Sequence, residues 1–402
     1  MRFDIFFSIC QTEVDGYMPD ERTMFENFFD QVRLADRLGF GTAWVAETHL
    51  SCEVQKRNPN AVIPNFVGEI GLNTDILQLA HKIFSVTQNI HVGSAIRNIL
   101  CNGGPIAHAE AVRTFLLLHG MDRREKRFLD LGFAAGRFDF SNLPYGVCPR
   151  NDLEKAAWPA LKGKVFHEAV EIFLRLLRGE VIASRDIAPK VLTKENFRNP
   201  ADWDKVVTLH GKAADKIEIP PFWEFDSVQV IPKEAPLDLL RLTIGTHDTE
   251  AQKLANKFLP TGVFNLSITP NDQIEKTHAM MQQHFHKEGG DWTRSHMPRT
   301  VLVFLNNNPR LSEEERNATA KAEARKAIAN YWKAMEGTLD EAKVSNAVYN
   351  ALVGSPGEIL QQMKSRFHRD DRLMLWFDFN NHNNDSVKES MRQFMENVAP
   401  HV

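Results

Sequence analysis

The stretch LRLTIGTHDTEAQKLA, residues 240–255, decides the fold. Leu240, Leu242 and Ile244 alternate with Arg241 and Thr243, the period-two pattern of a strand with one buried face. The run breaks at Gly245-Thr246. From Asp248 the spacing turns helical: Ala251, Leu254, Ala255 and Phe258 share a face, and Asp248 is a good N-cap. A strand feeding straight into a helix leaves unpaired N–H groups and the positive end of the helix dipole at the strand's carboxyl end. Thr246 and Thr249 add hydroxyls there, so the turn can hold a phosphate; an ordinary capped helix is the competing reading.

The same strand–helix unit recurs on both sides. Residues 3–9 read as a strand rich in Phe and Ile, and 23–38 as a helix stopped by Gly39. Residues 42–46 form a second strand that runs out into Glu47-Thr48-His49. A polar loop, 51–65, is long enough to be a rim or lid. Helix 73–85, strand 90–96, helix 106–119, strand 127–133 and helix 158–177 follow. After strand 240–246 come strand 262–269, helix 271–286, strand 300–305, helices 312–335 and 357–367, strand 372–379 and helix 385–398. Eight strands alternating with helices predict an α/β fold, a (β/α)8 TIM barrel, as one domain over 1–402. Residues 183–236, rich in Pro, Trp and charge, read as an insertion between helix 4 and strand 5, with a hairpin around 222–231. An open doubly wound sheet would carry a glycine fingerprint after its first strand, and residues 8–16 have none.

Composition narrows the function. A 402-residue chain with 43% hydrophobic residues can bury a large core, and its net charge of −4 with scattered Lys and Arg argues against nucleic acid as partner. No apolar run nears the roughly 20 residues that span a bilayer. The opening MRFDIFFSIC reads as a first strand rather than a signal peptide. Cys10, Cys52, Cys101 and Cys148 stand far apart, as free thiols in a cytoplasmic protein would.

The active site of such a barrel lies at the carboxyl ends of its strands. Those ends offer Ser8, Cys10, Glu47, Thr48, His49, Ser94, Ala95, Ala134 to Arg137, Thr246, Asn265, Ser267, Asn306, Asp378 and Asn380. The set holds no glycosidase carboxylate pair, no HExxH metal spacing and no GxSxG elbow. His278, His284 and His286 sit on a polar helix end and read as solvated, so no metal is expected. A site with few acids, bases or nucleophiles implies that a cofactor supplies the reactivity.

Six blocks, in order, resemble those of the bacterial-luciferase-like flavin monooxygenases: DRLGFGTAWVAETHL, NIHVGSAI, RFLDLGFAAGRFDF, TIGTHDTEAQKLA, VGSPGEILQQM and MRQFMENVAPHV. The resemblance spans nearly the whole chain. It implies a barrel that binds reduced FMN delivered by a separate flavin reductase and uses oxygen to oxygenate a small organic substrate. It further implies a cofactor site at Ser94, Ala95, Ala134, Arg137, Gly245, Thr246 and Thr249, with Arg137 as the phosphate's cationic partner. It implies a cis peptide at Ala95–Ile96 and pairing as a homodimer. The family's paired histidines are Thr48 and His49 here, so the base is either His49 or absent; Thr48 can hydrogen-bond but cannot act as a base near neutral pH. Phe7 and either Trp376 or Phe377, with Trp223 from the insertion as a further candidate, are expected to line an apolar or aromatic substrate pocket. A deazaflavin (F420) oxidoreductase of the same fold and a non-catalytic flavin-binding subunit remain as alternatives.

Overall fold

The computed structural model describes residues 1–58, 63, 65–136, 141–336 and 341–402. Nine parallel strands form one sheet: β1 (Arg2–Phe7), β2 (Thr42–Val45), β3 (His91–Asn98), β4 (Leu129–Ala134), β5 (Leu240–Ile244), β6 (Thr261–Val263), β7 (Arg299–Leu305), β8 (Leu352–Gly354) and β9 (Arg372–Trp376). Their order is β6-β5-β4-β3-β2-β1-β9-β7-β8. A parallel bridge between Asn265 and Arg299 brings the β6 end to β7, so the sheet curls on itself. Twelve α-helices accompany it among the described residues. This is the mixed α/β, barrel-like architecture that strand–helix alternation requires.

The alternation along each strand sorts side chains into two layers. Phe6, Trp44, Phe264 and Met374 meet inside the curl. Ile5, Phe7, Ala43, Val45, Leu373 and Leu375 face outward into the larger core beneath the helices. The helix Glu21–Leu38 supplies Phe28 to that outer layer, edge-on to Phe7 at 5.1 Å between ring centroids. Its N-cap Asp20 accepts the Thr23 N–H, and Gly39 ends it at φ 83°.

Below the aromatic cluster, at the amino ends of the strands, lies a buried charge network. Arg372 donates to Asp4 (2.6 Å), to the Thr42 hydroxyl (2.8 Å) and to Asp130 (3.0 Å). The Trp44 indole N–H donates to the same Asp4 oxygen as Arg372, Oδ2, at 2.7 Å. Each charge of this network is thus paired and hydrogen-bonded, the condition under which burial is tolerated.

Three local expectations change. The hairpin falls at Lys190–Thr193 paired antiparallel with Lys216–Ile219, not at 222–231. Pro220, Pro221, Pro232 and Pro236 remove ladder donors around the latter segment, which keeps a single bridge, Ile182–Val228. β8 was not expected; three residues are too short to show a period, and its place is set by pairing with the second half of β7. The first half of β7 pairs with β9 instead, so β8 branches off the sheet. The helix Glu341–Asn350 was likewise unforeseen. No helix among the described residues is long and apolar enough to cross a membrane.

Candidate active site

A cavity of about 530 Å³ opens at the carboxyl ends of the strands, within the usual range for small-molecule sites, about 300–1,000 Å³. Its floor is Phe6, Ala46, Ala95, Ile96 and Phe264. The Ala95–Ile96 peptide is cis. Gly245 is needed beside it: a Cβ there would lie 2.3 Å from Ile96 Cδ1.

At one end of the cavity sits the turn Gly245-Thr246-His247, leading from β5 into the helix Thr249–Phe258. Gln252, fully buried on that helix, donates its amide N–H to the Thr246 carbonyl at 2.7 Å. Because the peptide is planar, this turns the His247 N–H to the opposite side, away from the helix. The Thr246 oxygen accepts the Asp248 N–H at 3.1 Å, which leaves its own proton free to donate. Asp248 caps Glu250 and Ala251 and is itself held by His167 at 2.6 Å, which keeps its carboxyl below the usual range. The N–H groups of Thr246 and His247 have no acceptor among the described residues. The turn therefore offers donors without an acceptor of its own to match them.

At the other end Thr48 and His49 leave β2. Glu47 is anchored on its far side: Oε2 accepts the Ile76 N–H at 2.9 Å and Arg97 at 3.2 Å. Arg97 also donates to His108 Nδ1 and to Asp75. The remaining carboxylate oxygen, Glu47 Oε1, is buried without a hydrogen bond and lies 3.6 Å from His49 Nε2. Burial lowers the His49 pKa, but the Cys101 sulfur and the Glu47 carboxylate outweigh it and raise the imidazole to about 9. The shift favours the imidazolium at neutral pH, the form that gives a proton rather than takes one. Leu50, next in the chain, turns at φ 66°.

The outer wall carries Trp376, tilted against Phe6 at 4.5 Å and edge-on to Phe379 at 4.9 Å, with Tyr331, Cys10 and Asn380. Behind it, burial pushes the Asp378 carboxyl up to about 7, the Trp376 indole pulling weakly the other way. Burial also pushes the Cys10 thiol up to about 12, so it is no thiolate nucleophile.

Of the residues expected from sequence, Thr48, His49, Ala95, Ala134, Gly245, Thr246 and Trp376 line one cavity. Arg137 lies outside the described residues. Ser94 is fully buried and off the cavity: Gly93 takes the inward position against Trp44, and a register shift between Ser94 and Arg97 brings Ala95 and Ile96 to the floor instead. Thr249, at the first helical position, is exposed and not part of the lining. Phe7 is corrected to Phe6, since the strand's alternation sends Phe7 outward to Phe28. Phe377 also points outward, packing on Phe40 and Phe394. Trp223 lies instead over Gly104. Phe264, Phe166 and Tyr331 were missed. The strand period could have found the first, whereas no local signal marks Phe166 or Tyr331 within their long helices.

Residues 1–370 match the family model described as luciferase-like monooxygenase, and the chain belongs to that family. A comparison with curated proteins gives no match. Among solved structures the chain is similar to the monooxygenase RslO1 from Streptomyces bottropensis, at 18% identity and TM-score 0.66, covering 100% of this chain and 99% of that one. It is also similar to the oxygenating constituent of 3,6-diketocamphane monooxygenase from the CAM plasmid of Pseudomonas putida, a type II Baeyer–Villiger monooxygenase in complex with FMN (13%, TM-score 0.59, 100% and 99% covered). An F420-dependent secondary alcohol dehydrogenase in complex with an F420-acetone adduct shares the fold as well (12%, TM-score 0.57, 100% and 99% covered). At these identities the likeness is one of fold. Relatives of this architecture thus include both FMN monooxygenases and F420-dependent oxidoreductases.

Proposed function

We propose that this protein is an FMN-dependent monooxygenase of the two-component kind, taking reduced FMN from a separate flavin reductase and oxygenating a small, largely apolar organic substrate. The observation that carries this reading is the β5 turn: free N–H groups and the Thr246 hydroxyl at one end of a cavity whose floor is apolar. An anionic tail at the turn and a flat ring over Ala95 and Ile96 match that arrangement. Bound reduced FMN would supply two electrons, so that one oxygen atom enters the substrate and the other leaves as water. The chain's own residues do the rest. The Thr246 hydroxyl and the backbone of Gly245 to His247 hold the phosphate, with Thr249 and Arg137 as outer candidates. Ala95, Ala134 and Ile96 shape the ring's seat. The His49 imidazolium, held by Glu47, is the available proton donor, and Thr48 a hydrogen-bonding neighbour. Phe6, Trp376 and Phe379 keep the far end dry and select an apolar substrate.

The reading includes work in the cytoplasm, supported by four free cysteines, and a homodimer, supported only by the family resemblance. It also takes 1–402 as one domain in which 183–236 is an insertion. The test supplies reduced FMN under air and follows oxygen uptake across a substrate panel. Flavin bound with no substrate-linked uptake would count against it. Parallel titrations with FMN and F420 decide the second reading, a deazaflavin oxidoreductase, which the F420-dependent neighbours support. An inert but flavin-loaded single chain would instead favour a non-catalytic subunit.

A further inference from the structure

A second, smaller cavity of about 90 Å³ lies at the start of β7 and just ahead of β9, the opposite ends of those strands from Trp376. Arg294, Arg299, Arg366, Glu275, Asp371, Asn271 and His368 are among its lining residues. The two carboxylates are both taken by one arginine. Arg294 pairs with Asp371 at 2.5 Å and holds Glu275 by two bonds, of 2.7 and 3.0 Å.

That leaves Arg299 and Arg366 without an anion. Among the described residues no carboxylate comes within ion-pair distance, 4.0 Å, of either. Arg366 spends its N–H groups on the carbonyls of Tyr349, Ala351 and Gln362, so it contributes charge more than free donors. Arg299 is different. It donates to Asn271 Oδ1 at 2.7 Å and weakly to the Thr269 carbonyl, while its Nε is buried with no partner at all. The two guanidiniums flank the same Phe367 ring, at 5.4 and 5.8 Å. Burial depresses both pKa values; Asp371 partly offsets this at Arg299 and Glu358 at Arg366, while Arg366 lowers that of Arg299 further. Two partly buried like charges near one another are eased by an anion bound with them. Asn271 also begins the helix Asn271–His284, whose N-cap Pro270 gives no side-chain cap, so N–H groups and the dipole's positive end stand at the same place.

We propose that this cavity is a binding site for a tetrahedral oxyanion of the phosphate or sulfate class, held by the open edge of Arg299 in the field of Arg366. The cavity is small, about 90 Å³, and has room for one such ion. The lining carries three arginines against two carboxylates, an excess of positive charge that a bound oxyanion offsets. The site is independent of the flavin turn and does not rest on the proposed reaction.

Titration calorimetry of the full chain with inorganic phosphate, and separately sulfate, against chloride at equal ionic strength tests it. Saturable binding of phosphate or sulfate is expected, with a rise in melting temperature. Asn271→Asp supplies Arg299 with a built-in carboxylate; it should fold at least as well as wild type and lose affinity at least tenfold. Arg299→Lys should also weaken binding about tenfold. Because phosphate can also enter the flavin turn, Thr246→Val serves as the control and should keep the response. Loss in Thr246→Val with retention in Asn271→Asp would assign the binding to the flavin turn and overturn the proposal. Equal responses to all three salts, or no saturable heat, would overturn it as well.

Discussion

Glu47 Oε1 faces His49 Nε2 across 3.6 Å inside the cavity, with no hydrogen bond of its own. The rest of Glu47 is fixed from behind by Arg97 and the Ile76 N–H, so the carboxylate cannot swing away to find water. This pairing, together with Cys101, holds the imidazole charged up to about 9. Glu47→Gln should therefore bring the His49 pKa down. Proton NMR titration of the ring reads this without any substrate. An unchanged titration in the variant would dissociate Glu47 from the charge state of His49.

The sign for stability follows from the same shift. The folded-state pKa is raised above the ordinary 6.5, so the charged His49 contributes stability fully below about 6.5 and loses it as pH rises through about 9. Wild type should lose stability over that window relative to His49→Gln. Urea denaturation at pH 6, 7.5 and 9 measures it; parallel curves would dismiss the charge assignment.

Gly245 separates seat from scaffold. A Cβ at 245 would meet the flexible end of Ile96 at 2.3 Å, while the next contact, Ala134 Cβ, is an ordinary 3.5 Å. Gly245→Ala should fold but push Ile96 into the cavity, weakening FMN about tenfold, or about 1.4 kcal/mol. Gln252→Leu attacks the same turn from behind by unpairing the Thr246 carbonyl, a cost of about 1–3 kcal/mol. Both lower flavin affinity by different routes, which fluorescence titration and melting curves distinguish. FMN affinity unchanged in both variants would remove the turn from the cofactor site.

How much of this could be read from the chain depended on the range of the interactions. The β5 turn was readable because strand alternation, the glycine and the Asp248 cap all lie within ten residues of each other. Face assignments were less secure. Phe6 and Phe7 are equally apolar, and only the pairing of β1 with β2 and β9 decides which points inward. The Arg372–Asp4–Asp130 network was not foreseen at all, since its members are separated by 368 and 242 positions and no local pattern joins them. Tyr331 reaches the cavity from a helix that reads as charged and amphipathic, with no signal that this residue enters a site.

Asp378 gives a pH dependence from a carboxyl. Burial raises it from the usual 3.8 to about 7, so the folded state favours the neutral form. The stability this confers is present below about 3.8 and disappears as pH climbs to about 7. Asp378→Asn keeps the shape without the titration and should flatten that slope. Its stability should exceed that of wild type at pH 8 and not at pH 4. Matching pH profiles for the two proteins would show that Asp378 is solvated rather than buried.

Arg372 is the shared partner of two carboxylates that have almost no access to water, Asp4 at 2% and Asp130 at 1% exposure. Removing it leaves Asp4 buried without an ion pair and Asp130 with only Arg241 at 3.8 Å, a loss of the order of 3–5 kcal/mol. Arg372→Met should be destabilised by about that much at pH 7. Burial raises the Asp4 carboxyl despite Arg372, while Arg372 helps hold Asp130 below its usual range; without the arginine both rise and protonation relieves the penalty in acid. The gap to wild type should therefore narrow between pH 7 and pH 4.5. Adding Asp130→Asn should recover part of the loss at pH 7, because one of the two stranded charges is gone while Thr42 can still donate to the amide oxygen. Urea denaturation at the two pH values decides it: a pH-independent gap with no recovery in the double variant would mean that Arg372 acts through packing against Trp44, whose ring lies 5.3 Å from its guanidinium, rather than through charge.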